Sequence, residues 1–351
     1  MFITLHKEII MIYTLYYKQQ NQYYHRMKKT LIITSLLAIL LVSCTKQEEI
    51  ATDNVKSELS VKVGIVTTKA IITGTIFPDG SSIGVQVRKT GQFNYQAGTM
   101  TNIMYTYTAA GATWATATPL YLTNTLGEVY AYYPYVSVGD NLSAFTTIPV
   151  TIDATATTGT ETDYLYATPL TGASSVSNGV GKHNANLIMN HAFTQISFYI
   201  YKSNYSGTGT FTQFKIEDAA ATTFVKTSST AMTMSIENGN LVGGSTGIIT
   251  RTLAAPVTIT SVVPNADILV LKTQVNATSI LVPTAAMAIG DIRFTFTIDG
   301  ETYTAINTTA ISWLKGKQYI YTARLDGTGL VILSAIITDW DTQPGDLIDI
   351  K

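Results

Sequence analysis

Only 13% of the 351 residues are charged, about half the usual share of ~25%, and the formal net charge of −1 leaves no basic field to hold nucleic acid or an anionic membrane surface. The one cysteine, Cys44, excludes an intramolecular disulfide, and four histidines (His6, His25, His183 and His191) are too few and too scattered for a zinc site. The remainder is rich in Thr, Ala, Ile, Val, Gly and Tyr, the residues of strands and turns, in a length sufficient for two ordinary domains.

Residues 1–26 are semi-apolar and Tyr-rich, and they precede what reads as a complete export signal. They are read as an over-called start, with Met27 as initiator; an authentic cytoplasmic extension is the alternative. Residues 27–43 hold a positive stretch (Met27-Lys28-Lys29-Thr30), an apolar run from Leu31 to Val42, and a small residue at the junction. These are the three parts of a secretory signal. The apolar run falls short of the ~20 residues a spanning helix needs. Leu41-Val42-Ser43-Cys44 resembles a bacterial lipobox, which implies acylation of Cys44 and an outer-membrane anchor. Each buried acyl methylene contributes ~0.8 kcal/mol, and two or more chains make the anchoring stable. Residues 44–54 follow as a tether. Its Lys46-Gln47-Glu48-Glu49 loosely resembles the surface-export tags of Bacteroidota lipoproteins; a flexible acidic tether is the plainer reading.

Past residue 50 no stretch sustains apolar residues at helical spacing with caps at both ends. Strands and turns recur instead. Met232, Met234 and Ile236 lead into Asn238-Gly239 and a return strand. Ile292, Phe294, Phe296 and Ile298 alternate with polar residues, followed by Asp299-Gly300 and a return through Tyr303. Asp-Gly between two such runs marks a hairpin, because both central residues take positive φ. Around His191 the apolar parity slips, as a β-bulge or a crossing between sheets would cause. The expected fold is all-β, with two antiparallel β-sandwich domains of transthyretin-like, Greek-key type over 55–172 and 184–351. The Gly- and Ser-rich residues 173–183 form the linker between them.

Several ordered phrases carry a resemblance. They are Thr67-Thr68-Lys69-Ala70, Val129-Tyr130-Ala131-Tyr132-Tyr133-Pro134-Tyr135, Asp163-Tyr164-Leu165-Tyr166-Ala167, Met189-Asn190-His191-Ala192-Phe193, Gly316-Lys317-Gln318-Tyr319 and Ile336-Ile337-Thr338-Asp339-Trp340. Together, behind a lipobox, they resemble the fimbrillin superfamily, the type V pilins of Bacteroidales. The resemblance implies a fimbrial subunit serving adhesion, with other fimbrial subunits, a processing protease and the outer membrane as partners, and with no cofactor. It also implies that a protease removes the lipidated end with the first strand, here about Glu58 to Val63. Cleavage would fall between Lys69 and Ala70, where the family more often has Arg, so a Lys-tolerant protease is implied, or no cleavage at all. A strand from a neighbouring subunit then fills the gap. The donor implied here is 330–340, through Leu330, Ile332, Leu333, Ile336 and Ile337, apolar on both parities as a doubly covered strand must be. An ordinary last strand of the second sandwich is the equal alternative.

Enzymatic constellations are missing from the sequence. Gly207-Thr208-Gly209 lacks the remainder of a phosphate loop. His191 has no acid near it in sequence and reads as a packed structural histidine. Asp339 with Trp340, and the cluster Tyr130, Tyr132, Tyr133 and Tyr135, could be imagined contacting sugars, but they read more simply as strand-end, core and rim residues. The alternative function is a surface glycan-binding lipoprotein of a polysaccharide-uptake system; a secreted hydrolase is a more distant rival.

Overall fold

The computed structural model describes residues 18–22, 56–67, 70–71, 77–95, 102–137, 145–169, 175–219, 222–265, 267, 271, 274–327 and 329–340. The chain divides into two units, Met1–Val55 and Lys56–Lys351. In the first, residues 18–22 are helical. The signal, the tether and Cys44 lie outside the described residues.

The second unit is built from strands. In chain order these begin with β1 (Ser57–Glu58), β2 (Ser60–Thr67), β3 (Ala70–Ile71), β4 (Ser82–Arg88), β5 (Ile103–Thr108), β6 (Thr113–Ala115), β7 (Tyr121–Leu122) and β8 (Gly127–Tyr133). Next come β9 (Thr147–Val150), β10 (Thr155–Thr157), β11 (Leu165–Ala167), β12 (Ser175–Val176), β13 (Asn184–His191) and β14 (Thr194–Ser203). The later strands are β15 (Thr210–Asp218), β16 (Lys226–Ser235), β17 (Leu241–Thr246), β18 (Ile249–Thr258), β19 (Ala277–Leu281) and β20 (Thr284–Met287). The last are β21 (Ile292–Ile298), β22 (Glu301–Ile306), β23 (Ile311–Trp313), β24 (Lys317–Asp326) and β25 (Gly329–Asp339).

The fold is all-β, with several sheets. A nine-stranded sheet runs β3-β2-β13-β11-β8-β4-β5-β6, with β12 also beside β8. It curls until its two ends approach: β6 lies against β2, and the Tyr105 hydroxyl of β5 donates 2.9 Å to the Leu59 carbonyl. Its concave face holds one cluster of buried residues, including Leu59, Ile83, Val85, Tyr105, Val129 and Leu187. A four-stranded sheet, β19-β14-β24-β25, faces a five-stranded one, β10-β18-β15-β21-β22. Phe198 of β14 shows the facing directly, with its ring centroid 5.0 Å from those of both Phe214 and Phe296 and 5.6 Å from that of Phe294. Such edge-to-face contacts are the favoured geometry of packed aromatics. Alternation explains the layer, since Ile292, Phe294, Phe296 and Ile298 are buried while the residues between them are half-buried.

The parity slip at His191 is a crossing between sheets. β13 pairs with β2 and β11 in the nine-stranded sheet, and β14 pairs with β19 and β24 in the four-stranded one. Ala192 and Phe193, both fully buried, connect them. Pairing also crosses the expected linker. β13, read from sequence as the start of the second sandwich, belongs to the same sheet as β2; β9 and β10, read as part of the first, pair with β16 and β18. Ser175–Val176 within the linker form β12, with Val176 fully buried. Alternation in sequence says which face of a strand is buried but not which sheet receives it.

Candidate functional site

The first long strand is tied to the sheet by one neighbour along most of its length. β2 runs parallel to β13, from Asn184 opposite Ser60 to Met189 opposite Ile65. On its other side, among the described residues, the short β3 pairs with it, Val66 opposite Ile71 and Thr67 opposite Ala70, and β6 approaches without pairing. Leu59, Val61 and Val63 are buried in the cluster of the curled sheet, while Ser60 and Lys62 face out. Each buried aliphatic side chain contributes about 1.5–3 kcal/mol. Withdrawal of this segment would therefore uncover an apolar trough walled by the free edge of β13. Ala70 opens β3, three residues past the end of β2; Lys69 lies outside the described residues.

The other end of the chain is also an edge. β25 pairs antiparallel with β24, from Asp326 opposite Gly329 to Lys317 opposite Asp339, and has no partner strand on its far side among the described residues. The register shifts between Thr322 and Ala323, leaving Leu333 as an extra residue in β25. Leu330 and Ile332 are buried, whereas Val331 and Leu333 are about 45% exposed and Ile337 is 60% exposed. The strand is apolar on both faces, and the subunit covers only one of them. Beside the second half of β25 lies a groove of about 490 Å³ lined by Ile311, Leu314, Tyr319, Leu333, Ala335 and Ile337, among others. An uncovered apolar row on an unpaired edge invites strand addition.

Between these ends sits a buried polar junction. His191, the last residue of β13, has its Nδ1 2.6 Å from Asp163 Oδ2, and both side chains are almost wholly buried. Trp340, immediately after β25, stacks on the imidazole with centroids 4.0 Å apart and planes 11° from parallel. Its backbone N–H donates to the Gly316 carbonyl, and the Gly316 N–H donates to Phe193. Asp163 precedes β11, which pairs with β13 at Leu165 opposite His191. The sequence reading of His191 as structural is met, but its acid partner comes from 28 residues away, and Trp340 is buried.

The tyrosine cluster does not present a platform. Tyr132 and Tyr133 are buried, and Tyr132 donates to Asn102 Oδ1 and the Val136 carbonyl. Burial pushes the Tyr133 hydroxyl up to about 12, against a smaller opposing effect of its hydrogen bond with Ser81. Tyr130 instead stacks under Arg88, with the guanidinium carbon 4.3 Å from the ring centroid, a cation–π contact. A separate cavity of about 240 Å³ is lined by Glu161, Gln195, Asn276, Thr278 and Gln318, among others, with no aromatic residue in its wall. Glu161 is already engaged, accepting from Arg251 at 2.8 Å and from the backbone of Gly159 and Ile280.

The Fimbrillin-like family model matches residues 68–340. The chain belongs to the fimbrillin-like family. No curated protein matches the chain. Among solved structures, a protein of Bacteroides uniformis assigned to cell adhesion is 19% identical, with a TM-score of 0.54 over 82% of this chain and 99% of that one. Another assigned to cell adhesion, from Bacteroides ovatus, is 16% identical, with a TM-score of 0.57 over 82% and 98%. A fimbrial protein from Bacteroides vulgatus is 15% identical, with a TM-score of 0.55 over 81% and 99%. At these identities the likeness is one of fold. For this fimbrillin-like chain, the matched span begins at the residue after β2 and ends on Trp340.

Proposed function

We propose that this protein is a structural, non-enzymatic subunit of a Bacteroidales fimbria, serving adhesion and assembled by exchange of β-strands. Family membership supports the structural role. The observation that carries the assembly step is the seating of Leu59 and β2: a segment with β13 as its main partner, ending just before Lys69, that buries Leu59, Val61 and Val63 against the sheet. Cleavage between Lys69 and Ala70 would release it, and the uncovered edge of β13 would accept a strand from another subunit. β25, with Val331, Leu333 and Ile337 uncovered, is the donor. Export as an outer-membrane lipoprotein acylated on Cys44 precedes these steps. A Lys-tolerant protease and sibling subunits are the partners.

The architecture is read as two β-sandwiches of Greek-key type that meet at Ala192 and Phe193. Two large, separate clusters of buried side chains support that division. Limited trypsin treatment of the purified protein tests the assembly step. Cleavage after Lys69 should yield filaments and SDS-labile ladders. Uncut monomers that bind a polysaccharide tightly would instead favour the glycan-binding alternative.

A further inference from the structure

We propose that Trp340, seated on His191 and backed by Asp163, is a latch that keeps the C-terminal strand in its own subunit's sheet until assembly. This rests on β25 being the donor strand. The first half of β25 is held by two buried side chains, Leu330 and Ile332. From Leu333 to Asp339 none is buried: Leu333, Ser334, Ala335 and Ile337 are exposed, and Ile336, Thr338 and Asp339 are half-buried. Trp340 then disappears from solvent, with 2% of its surface exposed. Along this outer half the strand is held by its backbone pairing with β24, by the partly buried Ile336 and by the Lys317–Asp339 ion pair, and Trp340 at its end adds the one buried side chain, whose loss should let the segment open.

The seat of the tryptophan belongs to a different sheet from the strand that it fastens. β25 extends the four-stranded sheet, while His191 ends β13 of the nine-stranded one. Asp163, reaching His191 from before β11, fixes the plane of the imidazole on which the indole lies. The hydrogen bonds from Trp340 N–H to Gly316 and from Gly316 N–H to Phe193 tie the same point to the crossing. β13 is also the strand that β2 covers, so the acceptor edge and the seat of Trp340 lie on one strand.

Ordinary core packing makes a different forecast. Loss of a core tryptophan raises amide exchange throughout its cooperative unit, whereas loss of a latch raises it only in the segment that is released. The test is hydrogen exchange, followed by mass spectrometry, on the uncut full chain. In Trp340→Ala, the amides of Leu333 to Asp339 should exchange faster by about tenfold or more, with β14, β15 and β21 unchanged. Trp340→Phe should restore most of the protection. His191→Gln, which removes the ring but keeps a donor for Asp163, should release the same segment and leaves the sequence of β25 intact. An equal rise across all strands, or no rise at β25, would overturn the latch. Trypsin-treated wild type separates the two ideas, because filaments without local release leave strand exchange standing and remove only the latch, and local release without filaments removes the donor role of β25.

Discussion

Single residues in this protein hold sheets together through groups that strands alone do not supply. Arg251 of β18 is fully buried, and its guanidinium bonds Glu161, the Ser279 hydroxyl and the carbonyls of Asp153 and Thr250. Removing one partner of such a pair leaves the other charge buried, so Arg251→Ala should cost about 3–5 kcal/mol in urea denaturation. Asp299 illustrates the opposite case, an exposed carboxylate with structural partners. Hydrogen bonds from the Gly209 and Thr210 backbone, with a smaller contribution from Tyr205, lower its carboxyl to about 2. A lowered acid is better ionised in the folded state, so its contribution is present above its ordinary value and is lost as pH falls toward 2. Asp299→Asn should flatten the fall in melting temperature between pH 4 and 2; an unchanged slope would remove Asp299 from that transition. Asp299 was legible in sequence as half of an Asp-Gly turn. Arg251 with Glu161, and Asp163 with His191, were not, because each pair joins segments far apart in the chain.

At the scale of elements, local chemistry was read well and long-range pairing was not. The Asp299-Gly300 hairpin has both residues at positive φ, 52° and 83°, as a two-residue turn between right-twisted strands requires. The Asn238-Gly239 turn is looser: only Gly239 takes positive φ, and β16 and β17 are separated by residues 236–240. The slip at His191 announced the crossing from β13 to β14. Nothing local told that β9 and β10 pair with strands almost a hundred residues later, or that Leu333 is the extra residue of a bulge. Both of its neighbours in alternation are apolar, so either register looks buried. β2 and β25 differ in what their side chains cover, and mutations should separate them. Leu59→Ala should destabilise the uncut protein by about 2–5 kcal/mol, as measured by denaturant midpoint. Ile337→Asp sits on an exposed position and should change monomer stability by no more than about 0.5 kcal/mol. The same Ile337→Asp should block filament growth after trypsin, since a donated strand is covered on both faces. Normal filaments from that variant would exclude this half of β25 from the interface.

Across the whole molecule, the low charge and the abundance of strand residues suit a protein that spends its surface on contacts with others of its kind. Cleavage after Lys69 would discard β1 and β2, and the family match over residues 68–340 begins just past them. In the proposed order of events, β2 fills the acceptor sheet during export, and its removal leaves an edge that a neighbour's last strand can occupy. The fold class and the family were legible from ordered short phrases and alternation. The proximity of the chain's two edge systems at β13 and Trp340 was not, since it depends on a crossing between sheets. Mass spectrometry of the protein's N-terminus, taken from filaments sheared off intact cells, tests strand exchange most directly. The expected mass begins at Ala70; a surface population that begins only at acylated Cys44, with no filaments to shear, would contradict it.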